Sequence, residues 1–466
     1  MLPVVLGFQA VVWLLLCWNF IQNRSGSLYH PFGYYLVFHG IVFVIRPILE
    51  YAFDFHIAFD YMWFYPNEDR IIFTLFLSTW GLIAFALFGW AFDRTGPHFD
   101  RPLPSGFTAV EWQAFYILVI LILPFAAYSF YLNIAQGLGG SNLVQGYRDP
   151  ITGIYTLVNT TGYVAAADNA LIPCCLMLIW AMGFRPWSYV PFLIFLALHA
   201  YIGWGRWAFI LSVAMLGLLA LFRKKQRWIR PSWILIGIAV FIVFQQLGQN
   251  RDYYQELISG EPHDEDVLDR NRPWVERFDG LDFANFDYLT YIVDIVPDKS
   301  DTYSYFTQYL QLFTEPIPRI LWRNKPYGSP VDLVNLNNYG NFVGLTQSLV
   351  GDGWVSLGWL GVFVTLGLVG YVNLRLHRWF WNGEATNFKV LAYCTYLPLT
   401  MQWFRDGGIS IAKFVLFTVM PLVLWQIIIR MIAGAQGNPD FRPRILSRTA
   451  GKAPPSQTLG RPFGRS

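Results

Sequence analysis

The sequence predicts an all-α, polytopic integral membrane protein with about eleven transmembrane helices and one large helical extracytoplasmic loop. Three observations lead there. The chain is 55% hydrophobic and 18% aromatic with only 14% charged residues, at a mean hydropathy of +0.37, outside the soluble globular range. Apolar windows of the ~20 residues needed to cross a ~30 Å hydrocarbon core recur along it. A polar segment, 250–353, interrupts them and holds 17 acidic against 8 basic residues.

The windows fall near 2–21, 32–53, 71–92, 113–133, 163–183, 188–204, 206–222, 233–249, 354–373, 388–404 and 408–432. The first lacks a basic leader and a small-residue cleavage pattern, so it is expected to stay as a helix. The sixth and seventh are short and separated by "GWGR", which suits a tight hairpin or a broken span. Lysine and arginine concentrate in "RKKQRWIR" (223–230), "LRLHR" (374–378) and the tail from Arg442, and the positive-inside rule puts all three in the cytoplasm. Alternation then sets the amino terminus and the 250–353 loop outside. The expected organisation is spans one to eight in 1–249, an extracytoplasmic helical loop in 250–353, spans nine to eleven in 354–433, and a disordered basic cytoplasmic tail in 434–466, attracted to anionic lipid.

Cys17, Cys174, Cys175 and Cys394 all lie in apolar runs and read as small core residues. No GxGxxG, P-loop, HExxH or cysteine–histidine spacing occurs, which excludes NTP-driven and zinc chemistry at this level. No cofactor, metal or nucleic-acid partner is therefore expected.

The outer loop is too long to be a connector, and such loops are usually functional. Within 274–296 apolar residues recur at helical spacing. "SYFTQYLQLFTEPIPRILW" predicts a second amphipathic helix stopped by Pro316 and Pro318. Prolines stiffen "EPIPRILWRNKPYG" (315–328), which carries Arg319, Arg323 and Lys325 beside Trp322. The arginine fork matches phosphate oxygens and lysine adds a point charge, so this segment is a candidate clamp for a diphosphate or an anionic headgroup.

"RFDGL" (277–281), "VP" (296–297), "IPRILWRNKP" (317–326) and "VGDGWVSLGWLGV" (350–362) together resemble the outer-loop pattern of bacterial oligosaccharide repeat unit polymerases, the Wzy-type O-antigen polymerase family. Two departures stand out: Arg323 replaces the family's usual proline, and Asp352 stands where glutamate is common. The resemblance implies a GT-C-like polymerase/ligase architecture in the bacterial inner membrane, with an active site on the extracytoplasmic face. It also implies polymerisation of undecaprenyl diphosphate-linked repeat units into O-antigen (lipopolysaccharide), capsule or exopolysaccharide. Membrane lipids, a chain-length regulator and a flippase are the partners it suggests. An O-antigen ligase using the same donor, or a transporter or flippase of lipid-linked glycan, is the alternative.

On this reading Arg319, Arg206 and Arg277 stabilise the leaving diphosphate, and Asp279 or Asp352 is the base for the attacking hydroxyl, with Glu315 behind them. Arg323, Lys325, Trp322 and Tyr309 contact substrate. Arg148 and Arg405 add cations from neighbouring outer loops, and His199, seven residues before Arg206 on the same helical face, adds a polar group.

Overall fold

The computed structural model describes residues 1–104, 106–137, 146–148, 155–157, 162–202, 206–231, 237, 279–314, 316–317, 321–322, 331–342 and 344–435. Their architecture is helical apart from a two-stranded antiparallel ribbon, β1 (Gly146–Arg148) with β2 (Tyr155–Leu157), in register Tyr147↔Thr156. Twelve helices carry the argument: α1 (Leu2–Gln22), α2 (Pro31–Phe53), α3 (Glu68–Gly89), α4 (Ala109–Gly137), α5 (Leu171–Ala181), α6 (Val190–Ile202), α7 (Arg206–Arg223), α8 (Asn285–Ile295), α9 (Ser348–Trp381), α10 (Asn387–Asp406), α11 (Gly408–Thr418) and α12 (Met420–Ala435).

Six helices among the described residues are long and apolar enough to cross a membrane: α1, α2, α3, α4, α9 and the α11–α12 run Gly408–Ala435. α5, α6 and α7 lie at the fifth, sixth and seventh windows as shorter apolar helices. α10 occupies the tenth, and the eighth, 233–249, falls almost wholly outside the described residues. Large apolar side chains such as Leu14, Leu15, Ile120, Phe125, Leu193, Ile194 and Leu368 point outward. Hydrocarbon, not water, is the solvent that suits such a surface.

Packing forms two buried clusters. One joins α1, α2, α3, α8 and the first half of α9; the other joins α4–α7, the end of α9, α10 and α12. α3 and α9 approach closely because small residues face each other: a Cβ on Gly89 would lie 3.1 Å from the Gly370 Cα, and one on Gly81 would lie 3.4 Å from Val362. Without a hydrophobic force between helices in lipid, such close backbone contact supplies the packing energy. α9 holds both clusters together.

α9 has 34 residues, about 51 Å of helix, well beyond a ~30 Å core. It kinks at Leu357 (φ −163°) and Gly358 (φ +59°), the second a left-handed conformation that glycine adopts without a Cβ penalty. Part of the 250–353 loop occupies the break. The Ser304 and Tyr305 amides donate to the Val355 and Ser356 carbonyls (2.8 and 3.0 Å), taking up groups that the kink frees from the helical ladder.

That contact corrects one expectation. The helix expected from Ser304 starts only at Thr307 and is short: among the described residues of 304–322 the helical ones are the turns Thr307–Leu310 and Gln311–Thr314. Tyr305 and Phe306 have positive φ, and the preceding backbone is committed to the α9 kink, so the chain cannot enter a helix there. The other expected loop helix is present as α8, largely buried against α3 and α9.

The turns sort into two ends. At one, Arg227 donates to the Gly26 and Asn23 carbonyls (2.8 and 2.7 Å), Arg101 to the Phe380 carbonyl (2.8 Å) and Arg378 to Asp93 (3.0 Å). At the other, Arg46 meets Asp279 and Asp287, Arg70 meets Asp294 and Asp298, and Asn285 donates to the Arg405 carbonyl. The first end gathers these basic turns and the second the described part of the 250–353 loop, acidic from Asp279 to Asp298, called the cap below.

Candidate active site

At the acidic end three elements converge on Asp352, in the first turns of α9. Its Oδ2 accepts the Gly408 amide at 2.6 Å, at the start of α11, and the Tyr309 hydroxyl at 3.4 Å, from the cap. Its Oδ1 accepts no hydrogen bond from the described residues, and no described cation pairs with it, although the side chain is buried. Burial and the neighbouring carboxylate push the Tyr309 phenol well above its ordinary value, so it remains a donor.

Two glycines make room for this arrangement. A Cβ on Gly407 (φ +83°) would sit 2.4 Å from Asp352 Oδ2, and one on Gly408 would sit 2.6 Å from the Tyr309 ring. The α10–α11 turn can approach only because both lack a side chain. On its near side Arg405 Nη1 pairs with Asp406 Oδ1 at 3.0 Å, and Gln402 donates to Asp406 Oδ2. Burial still raises the Asp406 carboxyl above its ordinary range, against the opposing pull of Arg405 and Gln402. From α8, Asn285 Nδ2 bridges Thr346 Oγ1 (2.8 Å) and the Arg405 carbonyl (3.1 Å). Tyr309, Asp352 and Arg405, far apart in sequence, thus surround one turn.

Asp279 lies elsewhere. It is buried with Arg46 at 3.2 Å, and its Oδ2 also accepts the His56 and Ile57 amides at 3.1 and 3.3 Å. Arg46 reaches Asp287 at 2.7 Å as well. This triad ties the cap to α2, and it occupies both oxygens of Asp279. Arg46 was missed by the sequence reading, yet a signal was there: an arginine inside an apolar span calls for a partner.

His199 also has a partner that the sequence reading missed. Its Nε2 lies 3.1 Å from Asp168 Oδ2, both side chains being buried, and its ring packs on Phe195 and Phe130. Asp168 carried the same signal, an acid inside the fifth apolar window. Trp322 is partly exposed. Arg148 lies on β1 and Arg206 opens α7, but their side chains are outside what is described, as are Arg277, Glu315, Arg319, Arg323 and Lys325 altogether.

The comparison that bears on identity is a family model, O-antigen polysaccharide polymerase Wzy, which matches residues 2–435. The chain belongs to the Wzy family. Neither the curated proteins nor the solved structures compared with it gave a match. Membership makes it a multi-pass membrane protein of the O-antigen polymerase type, in a family acting on lipid-linked oligosaccharide repeat units.

Proposed function

We propose that the protein polymerises polyprenyl diphosphate-linked oligosaccharide repeat units at the extracytoplasmic face of the bacterial inner membrane, without a metal in the reaction. The family match over 2–435 is the observation that carries this reading. The donor brings its own activation, so the chain needs no nucleotide site. The eleven-span topology and the division at 249, 353 and 433 are part of the same proposal.

In the reaction a hydroxyl at the non-reducing end of one lipid-linked repeat attacks the anomeric carbon of the glycan on another carrier. The new glycosidic C–O bond forms as the bond to the diphosphate oxygen breaks, and the diphosphate leaves with that electron pair. Arg319, with Arg206 and Arg277, stabilises the charge gathering there; a preorganised donor of this kind contributes roughly 3–4 kcal/mol. Asp352 takes the hydroxyl proton. It is preferred to Asp279 because both oxygens of Asp279 are occupied, by Arg46 and by two amides, whereas Asp352 has one oxygen without a hydrogen bond from the described residues. Tyr309 and Arg405 border the acceptor; Arg148, Trp322, Arg323, Lys325 and His199 make the further substrate contacts.

The test is a deletion strain complemented with Asp352→Asn or Arg319→Ala, with lipid-linked and surface glycan resolved on gels. Single-repeat glycan on the carrier, with protein still in the membrane, is expected. A wild-type ladder from either variant removes that residue from the mechanism. Full-length polymer stranded on the carrier in the deletion strain would identify a ligase instead.

A further inference from the structure

At the basic end, away from Asp352, three side chains from distant parts of the chain converge. His30 precedes α2, Asp93 follows α3, and His377 lies near the end of α9, all three with side-chain exposure of 0%. His30 Nε2 is 3.3 Å and His377 Nε2 3.5 Å from the same oxygen, Asp93 Oδ2, and the three atoms fall within 4.8 Å of one another. Among the described residues His30 Nε2 and Asp93 Oδ2 meet only each other and His377, at 3.3 and 3.5 Å, in contacts too long or misaligned to be good hydrogen bonds. Buried polar atoms rarely stay so poorly paired.

The state of His377 sharpens the point. Its Nδ1 faces the Tyr29 carbonyl at 3.1 Å and the Tyr393 hydroxyl at 3.2 Å, and that hydroxyl itself donates to Tyr29 O at 2.7 Å. Nδ1 therefore carries the ring proton. In the neutral ring the Nε2 lone pair is then directed at Asp93 Oδ2 and at the Thr95 carbonyl, 3.3 Å away. A lone pair facing two oxygens is repulsive unless a proton or a metal ion lies between them.

We propose that His30 Nε2, His377 Nε2 and Asp93 Oδ2, with the Thr95 carbonyl beside them, bind a first-row divalent transition metal such as Zn²⁺. Ligand bonds of about 2.0–2.1 Å at tetrahedral angles separate neighbouring ligand atoms by roughly 3.3–3.4 Å. The observed edges of 3.3, 3.5 and 3.3 Å match this. Two imidazoles and a carboxylate suit zinc better than magnesium or calcium, which prefer all-oxygen sets. The surrounding contacts fit a ligand shell: Tyr29 O fixes the His377 tautomer, and Arg378 Nε holds Asp93 Oδ1 at 3.0 Å. One contact opposes it. His30 Nδ1 accepts the Phe32 amide at 3.1 Å, so ligation through Nε2 moves the ring proton to Nδ1 and gives up that cap. That cap and the long His30 Nε2–H contact with Asp93 are exchanged for three metal–ligand bonds. The ion would clasp the turn before α2, the segment after α3 and the end of α9. The sequence offered no hint of it, because the ligands are spread over 30–377.

The test uses the full chain in detergent, purified without a histidine tag, stripped with chelator and reloaded with Zn²⁺ or Co²⁺. One metal per chain retained through gel filtration, a tetrahedral cobalt spectrum and a raised melting midpoint are expected. Asp93→Asn and His377→Gln should weaken binding at least about 10-fold, while His56→Ala, at an exposed histidine, keeps full occupancy. Sub-stoichiometric metal in the wild type, or equal metal in wild type and Asp93→Asn, overturns the site and leaves a proton shared by the two histidines as the account of the cluster. If both variants fail to fold, the wild-type cobalt spectrum decides alone: no tetrahedral bands, no site. None of these results depends on the polymerase reaction.

Discussion

Replacing Arg46 by methionine tests how the cap is held. The guanidinium is 3% exposed and lies between Asp287, 2.7 Å away and fully buried, and Asp279, 3.2 Å away and 6% exposed. Methionine keeps most of the volume and removes the charge, leaving two buried carboxylates uncompensated. Breaking a buried ion pair in this way costs about 3–5 kcal/mol. The effect should be graded. Asp287's other neighbour is the Glu50 carboxyl, which brings no positive charge, and no cation besides Arg46 pairs with it among the described residues, so Asp287→Asn should approach the cost of Arg46→Met. Asp279→Asn should be milder, about 1.5–3 kcal/mol, because an amide oxygen can still accept from His56 and Ile57. The double variant Arg46→Met/Asp287→Leu should recover part of the loss, since no carboxylate then remains at position 287. Tryptophan-fluorescence melting in detergent reads all four. An Arg46→Met midpoint equal to wild type, or a double variant whose loss is the sum of the two singles, would refute the reasoning that this triad anchors the cap.

Three further outcomes are expected. Gly407→Ala places a Cβ 2.4 Å from Asp352 Oδ2 at φ +83°, so it should cost at least about 1–2 kcal/mol of stability and shorten or abolish polymer on glycan gels. Arg70→Ala removes half-exposed pairs with Asp294 and Asp298 and should change stability by less than about 1 kcal/mol, with polymer length unaltered. His199→Leu strips Asp168 Oδ2 of its described partner and should cost about 1–3 kcal/mol in thermal melts. His199→Gln, which can still donate to it, should melt near wild type, and any loss of polymer in that variant then reports a substrate contact.

What the sequence determined by itself follows from the solvent. A segment that must satisfy its backbone inside hydrocarbon has to be helical and about 20 residues long, so α1, α2, α3, α4 and α9 could be placed from hydropathy alone. The motif-bearing segments that contain Asp279 and Asp352 were legible too, because their prolines, arginines and glycines stand out against an apolar background. Hydropathy does not say which helix faces which, and everything about the site that depends on facing was decided only in three dimensions. The α9 kink diverted residues 304–306 from the helix their spacing suggested. Asp279 and Asp352, alike on paper, were separated by their neighbours: one beside a buried guanidinium, the other against a glycine turn. Arg46 with Asp287, Asp168 with His199, and Asp93 with His30 and His377 are pairings across 241, 31, 63 and 284 positions, counted from those residue numbers. Charge inside a membrane must find a partner, but the chain's order does not name it; only the packing of the helices does.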